Sequence, residues 1–372
     1  MPSYLYPGPP SGARSFLSSI TQAMISFTGL VFSITIVALQ LTSGQLSSRV
    51  LRTFLRDRLI QFSLGVFVAT FVYAMVVQRA VRGSVGHGAF VPRAAVTVAF
   101  LFVLASVGLF IAYIAHMANM LRVATIVTTI GDESKALMTQ RYPPDQPPGE
   151  PPAALGAVGR TVAAPHGGVL VSVNEKALAA RADRARVVVA VVPRVGDYVA
   201  TGAPLLTVHP DDNSTGDAKG ALDEAELVGE VAFDSERTME QDLAFGFRQL
   251  VDIAQRALSP GINDPTTATQ ALDVLHDLLR QLATRHLPTG RFFGADGGER
   301  LVIPQYRFDD FVDLAVGEIW HYGSGAAQIP EKIARLLSDI DQAALPEHRP
   351  AVARWLRRIR EAARPPAAGP RP

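Results

Sequence analysis

The sequence predicts a membrane α-helical protein with three transmembrane helices, followed by a cytoplasmic α+β region in which a small β module precedes a helical domain. Three observations carry this. Three long stretches lack any charged residue, a proline-rich segment follows them, and beyond it β-branched runs give way to amphipathic helical patterns. A charge-free apolar run of about 20 residues is long enough to cross a bilayer as a helix.

The first such run lies between Arg14 and Arg49, with a span expected at about 16–42. Inside it a pattern recurs every seven residues: Ser19, Ser26, Ser33 and Gln40 in one phase, and Thr21, Thr28, Thr35 and Thr42 in another. Sevenfold spacing returns to nearly the same helix face, so two polar stripes run along this segment. Hydroxyl and amide groups facing lipid are costly, so they are expected to face other helices or water. Two readings stay open for the Ser19, Ser26, Ser33, Gln40 stripe: dry helix packing, or the lining of a polar pathway between assembled copies. Arg49, Arg52 and Arg56 then stand at one mouth of that pathway, or serve as ordinary orientation charge at the membrane boundary.

The second span is expected at 59–78, with Gly65 and Ala69 as a small-residue pair, and the third at 94–121, with Ala105, Gly108, Ala112 and Ala115 on one face. His116 and Asn119 sit near the end of the third span. A histidine there is read as a hydrogen-bonded structural residue at headgroup level or as a proton-handling group. Lys and Arg near the spans set the orientation. Arg49, Arg52, Arg56, Arg58, Arg122, Lys135 and Arg141 lie on one side, against Arg14, Arg79, Arg82 and Arg93 on the other. The richer side is expected in the cytoplasm, with the large C-terminal region.

The expected transmembrane domain with its helical extension covers 1–141, a Pro-rich linker 142–155, a β-rich module 156–235, a helical domain 236–363, and a disordered tail 364–372. In the module, RVGDYVATGAPLLTV resembles the hairpin of lipoyl- and biotinyl-like sandwich domains, and its glycines suit the turns. The lysine that carries the cofactor in those domains is absent from this segment, which implies a structural module and no swinging arm. In the helical region, Ser259 to Thr267 reads as a corner between helices. Gly261 is expected to leave the first helix through a positive φ, and Asp264 to cap the next one with Pro265 at its first position. Asn263, Asp264, Thr266 and Thr267 are therefore candidates for a helix corner or, through the helix N-terminus, for a ligand site.

Net charge is +1 and there is no cysteine. The first gives no nucleic-acid footprint, and the second removes thiolate chemistry and cysteine metal sites. GxSxG, phosphate-loop and HExxH patterns are absent, so an enzyme is not expected, nor a cofactor or metal.

The segments RTMEQDLAFGFRQLVDIAQRALSPGINDPTTA and VFSITIVALQLTSGQLSSRVLRTFLRD resemble the bacterial predicted membrane proteins grouped as domain of unknown function 2254, and the resemblance runs from about Ser15 to Leu345. It implies a bacterial inner-membrane location and a further hydrophobic helix ahead of the first span, where this sequence has MPSYLYPGPPSGAR. It brings no catalytic residues. The expected function is an oligomeric channel or channel-like transporter for a small ion, its partners being the lipid bilayer and further copies of the chain. The alternative is a membrane-anchored scaffold or sensor that binds a partner or ligand.

Overall fold

The computed structural model describes residues 6, 8–43, 57–82, 90–120, 122–149, 159–210 and 223–362. Its internal contacts divide the chain into two units, Met1–Thr125 and Ile126–Pro372.

Among the described residues, the first unit is built from α1 (Pro10–Ser43), α2 (Arg58–Ala80) and α3 (Arg93–Met120). All three are long and apolar enough to cross a membrane. Helix α1 begins before its apolar run, because Ala13 is already buried and the Arg14 guanidinium donates to the Val81 carbonyl at 2.8 Å. At the start of α2, Asp57 accepts from the N–H groups of Leu59 (2.9 Å) and Ile60 (3.1 Å), which meets two of the donors a helix N-terminus leaves open. The chain runs up, down and up, with α2 packed against both neighbours. One interior cluster gathers Leu17, Ile20, Met24, Ala74, Val77 and Ala99, and a second Val31, Ile60, Phe67, Tyr113 and Met117. Large apolar side chains such as Phe32, Ile36, Phe62, Val76, Leu101 and Ile111 point outward. That reversal of the usual soluble pattern suits acyl chains as solvent.

The second unit takes in most of α4 (Val123–Arg141), which is not a free stalk. Val127, Ile130, Ser134, Leu137 and Met138 are buried along it. Gly131 gives the space its close neighbour Val274 needs, since a Cβ there would sit 2.6 Å from that side chain. The Arg285 guanidinium meets carbonyls at the end of α4, those of Met138 (3.3 Å) and Tyr142 (2.7 Å). The proline-rich linker is described as far as Gly149; its remainder and the expected tail lie outside the described residues.

There follow β1 (Arg160–Ala163), β2 (Gly168–Val173), α5 (Glu175–Ala185), β3 (Val187–Val191), β4 (Tyr198–Val199), β5 (Pro204–Pro210), α6 (Glu224–Val228) and β6 (Val231–Asp234). Next come α7 (Leu243–Ala257), α8 (Pro265–Ala283), β7 (Arg291–Phe293) and β8 (Glu299–Val302), and last α9 (Phe308–Gly323), α10 (Gln328–Ala343) and α11 (Arg349–Ala362). One sheet has the order β1-β5-β3-β8-β7 and the other β4-β2-β6. Leu170, Val173, Val189, Leu205, Leu206, Leu227 and Leu301 share one core with Leu178 and Ala182 of α5, so the two sheets and that helix form a layered sandwich. All five residues of β3 are buried, because Val188 and Ala190 on its other face meet Val302.

Strands β7 and β8 fall in the stretch read from sequence as purely helical. They join the sheet through a parallel pairing of β3 with β8, Val189 opposite Leu301. The sequence division at 235/236 therefore cuts through one sheet. Runs of three and four residues are too short for periodicity to reveal. The helix expected from Thr238 starts at Leu243 instead, because the Asp242 carboxylate caps it by accepting from Phe245 N–H at 3.0 Å.

Candidate functional site: inner and outer faces of the membrane helices

At about 100° per residue, the two-residue offset between the stripes of α1 places them about 200° apart, on opposite sides of the helix. The structure follows that geometry. Ser19, Ser26, Ser33 and Gln40 are exposed on the side away from α2 and α3, whereas Thr21, Thr28 and Thr35 are half-buried. The threonine hydroxyls donate one turn back, to the carbonyls of Leu17 (2.9 Å), Met24 (2.7 Å) and Val31 (2.7 Å). Ser19 and Ser26 make the same kind of bond, to Ser15 (3.0 Å) and Gln22 (3.2 Å). Arg49, Arg52 and Arg56 lie outside the described residues.

The interior carries a polar seam that periodicity on α1 alone does not reveal. The Thr35 and Tyr113 hydroxyls are 2.7 Å apart, and Tyr113 also reaches the Val31 carbonyl at 3.2 Å. Thr70 on α2 and Ser106 on α3 are both buried and lie 3.1 Å apart. Ser63 is fully buried, with no partner for its hydroxyl among the described residues. Near one end, His116 Nε2 is 2.9 Å from the Asp57 carboxylate that also caps α2. The sequence held a signal for this seam: Ser63 and Thr70, like Ser106 and Tyr113, are seven residues apart. Asp57 had no local signal, because its tie to His116 spans 59 positions.

Inside a bilayer such bonds hold helices together, each contributing modestly because the unfolded helices also find partners in the membrane. Tyr113→Phe is therefore expected to lower stability by about 0.6–1.7 kcal/mol without unfolding the chain. A fall in melting temperature in detergent checks this, and an unchanged value speaks against the seam as a stabilising element.

At the corner of the second unit, Asp264 is the N-cap of α8 and Pro265 holds the first helical position. Its carboxylate accepts from Thr267 N–H (3.1 Å) and from the Thr267 hydroxyl (2.7 Å), and that hydroxyl above all holds the carboxyl below its ordinary pKa. The left-handed residue is Asn263 (φ 47°), which corrects the expectation of a positive φ at Gly261. Asparagine tolerates this conformation, and there it lets Asp264 N–H reach the Ala257 carbonyl at 2.7 Å. An incoming anion would have to displace the Asp264 carboxylate from these first-turn donors. Asn263, Asp264 and Thr267 thus form the corner together, with Thr266 beside them in the first turn of α8.

Three membrane-length helices, apolar outside and hydroxyl-bonded within, define an integral membrane protein carrying an α/β and helical second unit. The chain belongs to the family described as Predicted membrane protein (DUF2254), which it matches over residues 3–339. It is similar to uncharacterized protein Mb1321c of Mycobacterium bovis and uncharacterized protein Rv1290c of Mycobacterium tuberculosis. Each is 33% identical over 346 residues, an alignment covering 91% of this chain. The chain spans 65% of the length of these relatives. No solved structure matches it.

Proposed function

We propose that the chain assembles with copies of itself in the bacterial inner membrane, its C-terminal unit in the cytoplasm, as a channel or channel-like transporter for a small ion. The outer stripe of α1 lines the polar pathway, and the cytoplasmic unit assembles or gates it. In this reading the chain performs no covalent chemistry. The single observation that supports it is the outward direction of Ser19, Ser26, Ser33 and Gln40, on the face of α1 that its own partner helices leave uncovered. Polar atoms on that face are costly against lipid and are relieved by water or by another protein surface. The three spans among the described residues are too few to enclose a pathway by themselves, and in this reading further copies supply the rest of its wall. The Lys and Arg balance supports the orientation.

A second reading rests on the back-bonded hydroxyls of Ser19 and Ser26, which need no water. It makes the stripe a dry contact between copies of a membrane-anchored scaffold or sensor.

Ion flux through proteoliposomes separates the two. Gln40→Leu and Ser33→Leu are expected to cut flux by about tenfold, equivalent to ~1.4 kcal/mol of barrier, while cross-linking still captures the oligomer. An oligomer that passes no ions in any variant removes the channel reading, and a monomer in nanodiscs removes both.

A further inference from the structure

We propose that the second unit holds a binding site for a small, neutral, planar molecule that offers one N–H or O–H donor, seated where α9 and α11 begin. A cavity of about 680 Å³ opens there, within the range of about 300–1,000 Å³ that small-molecule sites occupy. Its walls are mostly apolar, with Leu287, Pro304, Tyr306, Phe308 and Pro350 among them. A flat apolar body suits such walls.

The polar group that sets orientation is His348. It lines the cavity, is only 7% exposed, and stacks on the Phe308 ring with centroids 4.4 Å apart and planes 28° from parallel. Its Nε2 lies 2.9 Å from the Arg285 carbonyl. A carbonyl only accepts, so Nε2 carries a proton, and in the Nε2–H tautomer Nδ1 is left as an acceptor. Among the described residues the ring's polar contacts are those of Nε2, and none is made by Nδ1. An occupant with a donor hydrogen completes it.

The charges around the rim argue against an anion. Arg307 lies 3.1 Å from Asp309, Arg354 Nη2 donates to both Asp313 oxygens at 2.7 and 2.8 Å, and Glu347 hydrogen-bonds His286 at 2.9 Å. Each is already matched. A second cavity of about 260 Å³ shares Pro288, Thr289 and Gln305 with the first. Gly149 lines one and Gln146 the other, so the segment that follows α4 borders both, and an occupant bears directly on it.

Phenol, anisole and phenyl phosphate are the probes. They are titrated calorimetrically into the full chain in lipid nanodiscs, with heats from empty nanodiscs subtracted. Phenol is expected to bind saturably at one site per chain, about fivefold tighter than anisole, since the two differ by one neutral hydrogen bond. Phenyl phosphate is expected to bind more weakly than phenol. His348→Phe keeps a ring against Phe308 but removes the acceptor, and brings phenol down to the level of anisole. Thr289→Trp fills the cavity and abolishes binding of both. The proposal is overturned by absent saturable phenol binding, by equal phenol and anisole affinities, by phenyl phosphate binding tightest, or by a phenol preference that survives in His348→Phe. Should His348→Phe fail to fold, the phenol and anisole contrast on the unaltered chain, together with Thr289→Trp, decides.

Discussion

Arg300→Ala is expected to destabilise the second unit by about 3 kcal/mol, read as a loss of melting temperature and earlier proteolysis of the full chain. The side chain is 0% exposed, yet it carries a full charge beneath the β7–β8 turn. Its Nε donates to Asp183 of α5 at 2.8 Å and its Nη2 to Asp296 at 2.5 Å, so one guanidinium ties the helix to the hairpin. Two glycines make room for it: a Cβ at Gly294 would lie 3.0 Å from Arg300 Nε, and one at Gly298 2.9 Å from Nη1. Removing one member of a buried ion pair costs about 3–5 kcal/mol. The lower end applies because Asp183 and Asp296 keep 38% and 37% of their side-chain surface and can rehydrate. Arg300→Lys should fall between, since a point charge cannot repeat the forked contact. The Gly298 N–H, and then the Arg300 charge, hold the Asp296 carboxyl below its ordinary pKa. That contribution is present above the ordinary carboxylate range and is lost as pH falls through the lowered value. A variant as stable as the unaltered chain would show that the guanidinium only fills space.

Gly290→Ala is the second large effect, expected at about 2–4 kcal/mol. Two costs add. The φ of +74° is left-handed, which costs a residue with a Cβ about 1–2 kcal/mol. A Cβ there would also stand 1.9 Å from the Ile303 carbonyl oxygen, a backbone atom that cannot swing aside. The two strands meet closely here because Ile303 N–H donates to the Gly290 carbonyl at 2.8 Å. Overpacking of this kind costs about 1–3 kcal/mol. Gly297 provides the comparison: its φ is +77° but no atom lies within 4 Å of its Cβ position. Gly297→Ala should therefore cost only the conformational part. Equal losses in both variants would refute the steric argument.

These two sites show where sequence reasoning stopped. Asp296-Gly297 is a hairpin signal, but the strands beside it, three and four residues long, carry no visible alternation to support it. The three spans were legible because length and absence of charge are sufficient to recognise a bilayer-crossing helix, and their ends fell within a few residues except at the start of α1. There the packing of Ala13 and the bond from Arg14 to Val81 extend the helix past its apolar run. The two stripes of α1 were equally legible, being a matter of angle. The inner partners of the threonine stripe were not.

By itself the sequence determined that this chain enters a membrane, that its first helix has two polar faces, and that a β-rich stretch and helices follow. All of these are local properties, set by composition and by periodicity along one segment. Only the tertiary structure decided that the threonine face turns inward to Tyr113 while the serine face turns outward, that His116 finds Asp57, and that β8 completes a sheet begun more than a hundred residues earlier. Each of these joins residues far apart in the chain. The cost of leaving a polar or apolar group without its partner depends on what the fold brings beside it, and no single stretch of sequence contains that information.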